Sequence, residues 1–151
     1  MQLTRPDKIP FPKNCDISNF EKIKDLYWKL LRFCIENEYS YISSVQVGIP
    51  LRFYILQYDK LGFLGFANAE YDPIDTKKIS SVEGCASLPD TRIKLKRYKV
   101  IRVEGYIVHP KYENLIEFNQ EVKNKYSILH QHVLDHQNGV LINNLGHEYV
   151  E

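Results

Sequence analysis

The sequence predicts an α+β fold, on three observations. Apolar residues recur at helical spacing early in the chain, the middle is rich in strand-forming runs, and a second helical pattern near the end carries two histidines one turn apart. With 151 residues, 44% of them apolar, residues 1–151 are expected to form one domain with a real core.

Residues 1–17, with Pro6, Pro10 and Pro12, read as extended or irregular. Ser18 followed by Glu21 is a capping-box pattern. Phe20, Ile23, Tyr27, Leu30, Leu31 and Cys34 then predict a helix over roughly Asn19 to Glu36. Leu51 to Gln57 and Phe63 to Ala67 read as strands, joined by a turn around Asp59 to Gly62. Ile79 to Val82 and the stretch Ile93 to Val108 add more. Asn124 to Gln137 is the second helix, stopped by Asn138-Gly139. Repeats and low-complexity segments are not seen.

Charge excludes some functions. Lys and Arg number 20 against 19 Asp and Glu, so no basic field points to nucleic acid or an anionic membrane. No apolar run approaches the ~18 residues of a membrane span, and Met1 to Pro6 lead into no signal-peptide core. Three cysteines, Cys15, Cys34 and Cys85, form an odd set in a chain large enough to fold without staples. A reduced, cytoplasmic setting is expected.

The chemistry concentrates in Gln131-His132-Val133-Leu134-Asp135-His136. Histidines at i and i+4 share one helix face and suit one divalent metal. The catalytic form of this spacing is H-E-x-x-H, whose Glu is the general base for a metal-activated water. Here Val133 holds that position. A bare H-x-x-x-H is a weak signal in a chain with five histidines, and solvated or hydrogen-bonded helix histidines are the bland alternative. Glu83-Gly84-Cys85-Ala86-Ser87 strengthens it by adding a thiolate after a strand, as does Gln46-Val47-Gly48-Ile49 before another. One Cys and two His leave a position open on a tetrahedral ion, the catalytic arrangement, and suit Zn²⁺, Fe²⁺ or similar ions. A free cysteine is more often a small core residue, the reading given to Cys15 and Cys34. Gly84 is expected to allow a close backbone approach that positions the thiolate.

The three segments resemble the motifs of peptide deformylases, G-x-G-x-A-A-P-Q, E-G-C-L-S and Q-H-E-x-D-H, in this order and at similar separations. The resemblance spans roughly Pro6 to Leu141 and includes Leu88-Pro89 and Asn138-Gly139 after the second and third motifs. It implies antiparallel β-sheets around a central helix bearing the two histidines. It also implies that Cys85, His132 and His136 hold one divalent ion, Fe²⁺ or Zn²⁺, with Ni²⁺ a further occupant in preparations. The implied reaction is hydrolytic removal of the formyl group from N-formylmethionyl peptides, the N-terminal segments of nascent chains. Gln46 and the backbone N–H of Ala86 would stabilise the oxyanion. Ile42, Tyr41, Arg92 and Ile128 would contact substrate, and Arg97 and Asp135 would form a structural pair.

Departures from the motifs bear on activity. Val133 replaces the general base, whose contribution is typically about 10²–10⁴-fold. Tyr39 and Tyr41 replace two glycines, Ser43-Ser44 two alanines, Val45 a proline and Ala86 a leucine. Activity is therefore expected to be weak or lost. The alternative is a non-catalytic, metal-containing module that recognises peptide N-termini; a metal that only staples the fold is a third reading. Little chain follows Leu141, where longer members carry a ribosome-docking helix, so docking is not expected. His147 to Glu151 mimics H-E-x-x-E but reads as a frayed tail. His130, about 200° around the helix from His132, should point away from the metal.

Overall fold

The chain's local signals become two helices and eight strands in the computed structural model, which describes residues 1–148. In chain order these are α1 (Phe20–Asn37), β1 (Tyr41–Ser43), β2 (Phe53–Tyr58), β3 (Gly62–Pro73), β4 (Lys78–Cys85), β5 (Leu88–Tyr98), β6 (Val100–Val108), β7 (Ile116–Lys123), α2 (Asn124–Gln137) and β8 (His147–Glu148). All strand pairs are antiparallel. One sheet runs β1-β2-β3-β6-β7 and the other β4-β5-β8. The α+β fold is as expected.

Helix α1 begins one residue later than the capping-box pattern suggested. Asp16 takes both the backbone N–H and the hydroxyl of Ser18, so the cap falls to Asn19, whose side chain accepts from Lys22 N. Ile23, Leu26, Tyr27, Leu30, Phe33 and Cys34 form its buried stripe and pack on Phe53, Ile55, Ala67 and Val108. The helix stops at Glu38, which adopts left-handed φ 59° and bonds back to Cys34 and Ile35.

Strand edges differ from expectation. β3 runs past Ala67 through a bulge before Glu70, and the long β-rich stretch divides at Lys99 into β5 and β6. β1 and β7 carried too little alternation to be expected. The tail read as frayed in fact adds β8 to β5, pairing His147 with Lys94; Tyr149 to Glu151 lie outside the described residues.

Helix α2 has the predicted bounds and packs against strands of both sheets. It is buried on nearly every side: Ser127, His130, Gln131, His132, Val133, Leu134, His136 and Gln137. Its buried polar groups therefore need partners. Gln131 Nε2 and Ser127 Oγ donate to Tyr98 O, and Tyr98 N donates back to Gln131 Oε1. His130 sits between the hydroxyls of Tyr54 (2.8 Å) and Tyr58 (2.7 Å). No helix among the described residues is long and apolar enough to cross a membrane.

Candidate metal centre

Strand alternation at the end of β4 turns Glu83 and Cys85 inward and Gly84 outward. Helical spacing turns His132 and His136 toward that same strand end. The result is a buried trio whose ligand atoms all lie within 4.8 Å of one another, with Cys85 Sγ 3.2 Å from His136 Nε2. One tetrahedral ion with these ligands needs separations of ~3.3–3.6 Å, and the Cys85–His136 pair already stands close to that spacing.

The tautomer of His132 is set from behind. Its Nδ1–H donates to Glu83 Oε1 at 2.8 Å, leaving a buried Nε2 without a hydrogen-bond partner. A buried imidazole nitrogen in that state is what a metal would satisfy. The donor set and this orphaned atom both fit a divalent ion.

Glu83 is itself held by a fork from Arg97, Nε to Oε2 at 2.9 Å and NH2 to Oε1 at 2.8 Å. Arg97 NH1 also donates to Asp135 Oδ2 at 2.6 Å, and Tyr71 donates to Asp135 Oδ1 at 3.1 Å. The expected Arg97–Asp135 pair is thus present, within a larger network. Burial pushes the Glu83 carboxyl up, but hydrogen bonds from His132 and Arg97, with the Arg97 charge, bring it down to about 2. Burial also pushes the Cys85 thiol up, and the imidazoles of His132 and His136 outweigh it, leaving Cys85 at about 5. Cys85 is then a thiolate at neutral pH, the state a metal requires.

Gln46 stands on a short 3₁₀ turn, Ser44–Val47, directly after β1. Its Oε1 accepts from Ser43 N at 3.0 Å, while Nε2 donates to Ser87 Oγ at 3.0 Å and lies 3.8 Å from Cys85 Sγ. Gly48, at φ 81°, closes that turn in a conformation glycine adopts freely.

The remaining site residues fall in several places. Ala86 is half-buried beside Cys85 and lines a cavity of about 200 Å³ with Tyr39, Tyr41, Gln46 and Gly84. Tyr41 sets its ring edge-on to His132, centroids 5.2 Å apart, and its hydroxyl donates to Gly84 O at 3.4 Å. Tyr39 packs on Phe33. Ile128 is half-buried on the helical face of His132 and His136. Arg92 is exposed on β5, opposite Gly84. Val133 is wholly buried in the apolar cluster of Tyr54, Leu56, Phe66 and Leu134.

Two expectations need correcting. The Ile42 side chain is wholly buried in the core beneath α1, because alternation along β1 turns it to that face; only its backbone stays with the strand edge. A Cβ at Gly84 would meet nothing nearer than Thr91 O at 3.7 Å, so no close backbone approach demands the glycine. His130 does point away from the trio. Cys15 and Cys34 are buried packing residues, their thiols pushed up by burial to about 11 and about 12. The sequence reading missed Glu83 as the partner of His132, although the two-residue alternation in E-G-C places it on the face of Cys85.

The chain is similar to known proteins. A family model described as Polypeptide deformylase matches residues 3–147. A peptide deformylase of Thermotoga petrophila is 33% identical over 127 residues, covering 80% of this chain and 73% of that one. One from Karelsulcia muelleri is 31% identical over 129 residues, covering 78% and 66%. The crystal structure of peptide deformylase from Thermotoga maritima aligns over 95% of each chain with TM-score 0.81 at 24% identity. The Synechococcus elongatus peptide deformylase in complex with actinonin aligns over 97% of this chain and 78% of that one, with TM-score 0.84 at 18% identity. At those identities the two structures speak for the fold.

Proposed function

The chain belongs to the peptide deformylase family, and from that premise we propose a metal-dependent hydrolase of N-formylmethionyl peptides whose activity is weak for want of a general base. The carrying observation is a contrast within one turn of α2. His132 and His136 join Cys85 in a buried trio, while Val133 between them is packed as core.

Cys85, His132 and His136 hold one divalent ion; this donor set accepts Fe²⁺, Zn²⁺ or Ni²⁺. An ion bound there polarises a carbonyl and acidifies water. The chain's own groups do the rest. The Gln46 amide and the Ala86 backbone N–H donate to the developing oxyanion, a contribution of roughly 10²–10³ per donor. Glu83 keeps the His132 ring oriented, and Arg97 keeps Glu83 charged and fixed. Arg92, Ile128 and the β1 edge meet the substrate chain, the N-terminus of a nascent polypeptide in a cytoplasmic setting. Valine accepts no proton, so neither removal of a proton from water nor its return to the leaving amine has a positioned carrier.

A second reading is a non-catalytic module that binds peptide N-termini, favoured by the complete burial of Val133 in the core. A formate-release assay on a formyl-Met tripeptide separates the two. With metal content verified, the hydrolase reading expects a residual, metal-dependent rate at least ~10²-fold below a relative with all motif residues. Tight peptide binding with no formate released supports the module instead.

A further inference from the structure

β1 is the edge strand of the five-stranded sheet and β4 the edge strand of the three-stranded sheet. These two edges converge at the metal trio. Gln46, just past β1, reaches Ser87 and Cys85 at the end of β4, and Tyr41 on β1 reaches the carbonyl of Gly84 on β4. Two edges that are unpaired among the described residues and face each other across a site invite an extended peptide as an added strand, which would need two ladder spacings, ~9–10 Å in all. The Tyr41 side chain spans this gap. Its hydroxyl takes the Gly84 carbonyl that an added strand would use, and its ring rests on His132 and on the apolar cluster that contains Val133.

What stays open beside Cys85 is the cavity of about 200 Å³ lined by Gln46, Ala86, Gly84 and the two tyrosines. Ligand clefts ordinarily span ~300–1,000 Å³.

We infer that Tyr41 is a latch across the slot between the two sheet edges, so that the site engages the formylated first residue and weakens the strand pairing of an extended peptide. This rests on the metal-site reading above and names the substrate class of that site. Tyr41 acts here as a specificity-determining residue and carries no proton in the reaction.

The test is the binding of two hydroxamates to the full zinc-loaded chain by calorimetry. Acetohydroxamate is the short probe; the long one bears a dipeptide-length tail. The native chain is expected to bind the short probe, whose affinity is measured for every variant as the reference for the tailed one. For the tailed probe, Tyr41→Gly should bind at least about tenfold tighter than native, the worth of one or two ladder hydrogen bonds. Tyr41→Phe, which keeps the ring and loses the bond to Gly84, should fall between. Equal affinity of native and Tyr41→Gly for the tailed probe overturns the latch. Should Tyr41→Gly fail to fold, Tyr41→Phe decides: tighter binding of the tailed probe supports the latch, and unchanged binding overturns it. No turnover enters the measurement, so failure of the hydrolase reading would show separately, as absent formate release.

Discussion

His132 Nδ1 and Glu83 Oε1 lie 2.8 Å apart inside the protein, and this one hydrogen bond decides which imidazole nitrogen faces Cys85. Glu83→Gln keeps the shape of the side chain but loses the charge that orients and enriches the ring. Metal affinity should fall about 10–100-fold, the usual worth of such an outer partner. Competition against a chromogenic chelator measures it. An unchanged affinity would place the tautomer under some other control.

Arg97 is 3% exposed and holds two carboxylates, Glu83 and Asp135. Arg97→Met removes the cation and leaves both acids buried without it. Breaking a buried pair in this way costs about 3–5 kcal/mol. Urea unfolding of the metal-free protein should show a loss in that range; a loss under ~1 kcal/mol would mean that water reaches the network freely.

Metal removal should expose one thiol chemically. Cys85 sits at about 5, while burial holds Cys15 at about 11 and Cys34 at about 12. In a chelator at pH 7, iodoacetamide should label Cys85 at least ~10-fold faster than either of the others. Loaded with zinc, the protein should resist labelling at all three. Peptide mass spectrometry reads both outcomes.

His130 predicts an acid weakness. Buried between Tyr54 and Tyr58, it can donate to one hydroxyl and accept from the other only while neutral. Burial lowers it from 6.5 to about 3. A folded pKa below the unfolded one leaves stability intact above pH ~6.5 and removes it as pH falls toward ~3. The Glu83 carboxyl, held at about 2, adds a loss of the same sign at more acid pH. Between pH 6.5 and 4.5 the native protein should therefore lose melting temperature more steeply than His130→Phe. Equal slopes would contradict this.

Much of this was legible in the residues. The stripe from Phe20 to Cys34 and the bounds of α2 follow from spacing and stop signals, and motif order brought Cys85, His132 and His136 together. Local pattern could not show that α2 would be buried all round, because its polar residues are satisfied by Tyr98, Tyr54 and Tyr58 from distant strands. β1 has three residues and β7 a mostly polar face, so neither carries a strong period-two signal. The partner of Tyr41 was equally hidden: the bond to Gly84 joins the edges of two separate sheets, a relation no local window contains.

An intact metal trio is paired with a missing proton carrier, and formate release by Val133→Glu measures what that absence costs. Native and variant proteins, each with one metal per chain verified by elemental analysis, are assayed on a formyl-Met tripeptide and on formyl-Met amide. The variant should exceed the native rate by about tenfold or more, yet stay below a relative with all motif residues, since misplacement of ~1 Å by Tyr41 can itself cost about 10²-fold. Native turnover at ordinary enzyme rates, with no gain from Val133→Glu, would overturn this pairing and place the proton carrier elsewhere in the site.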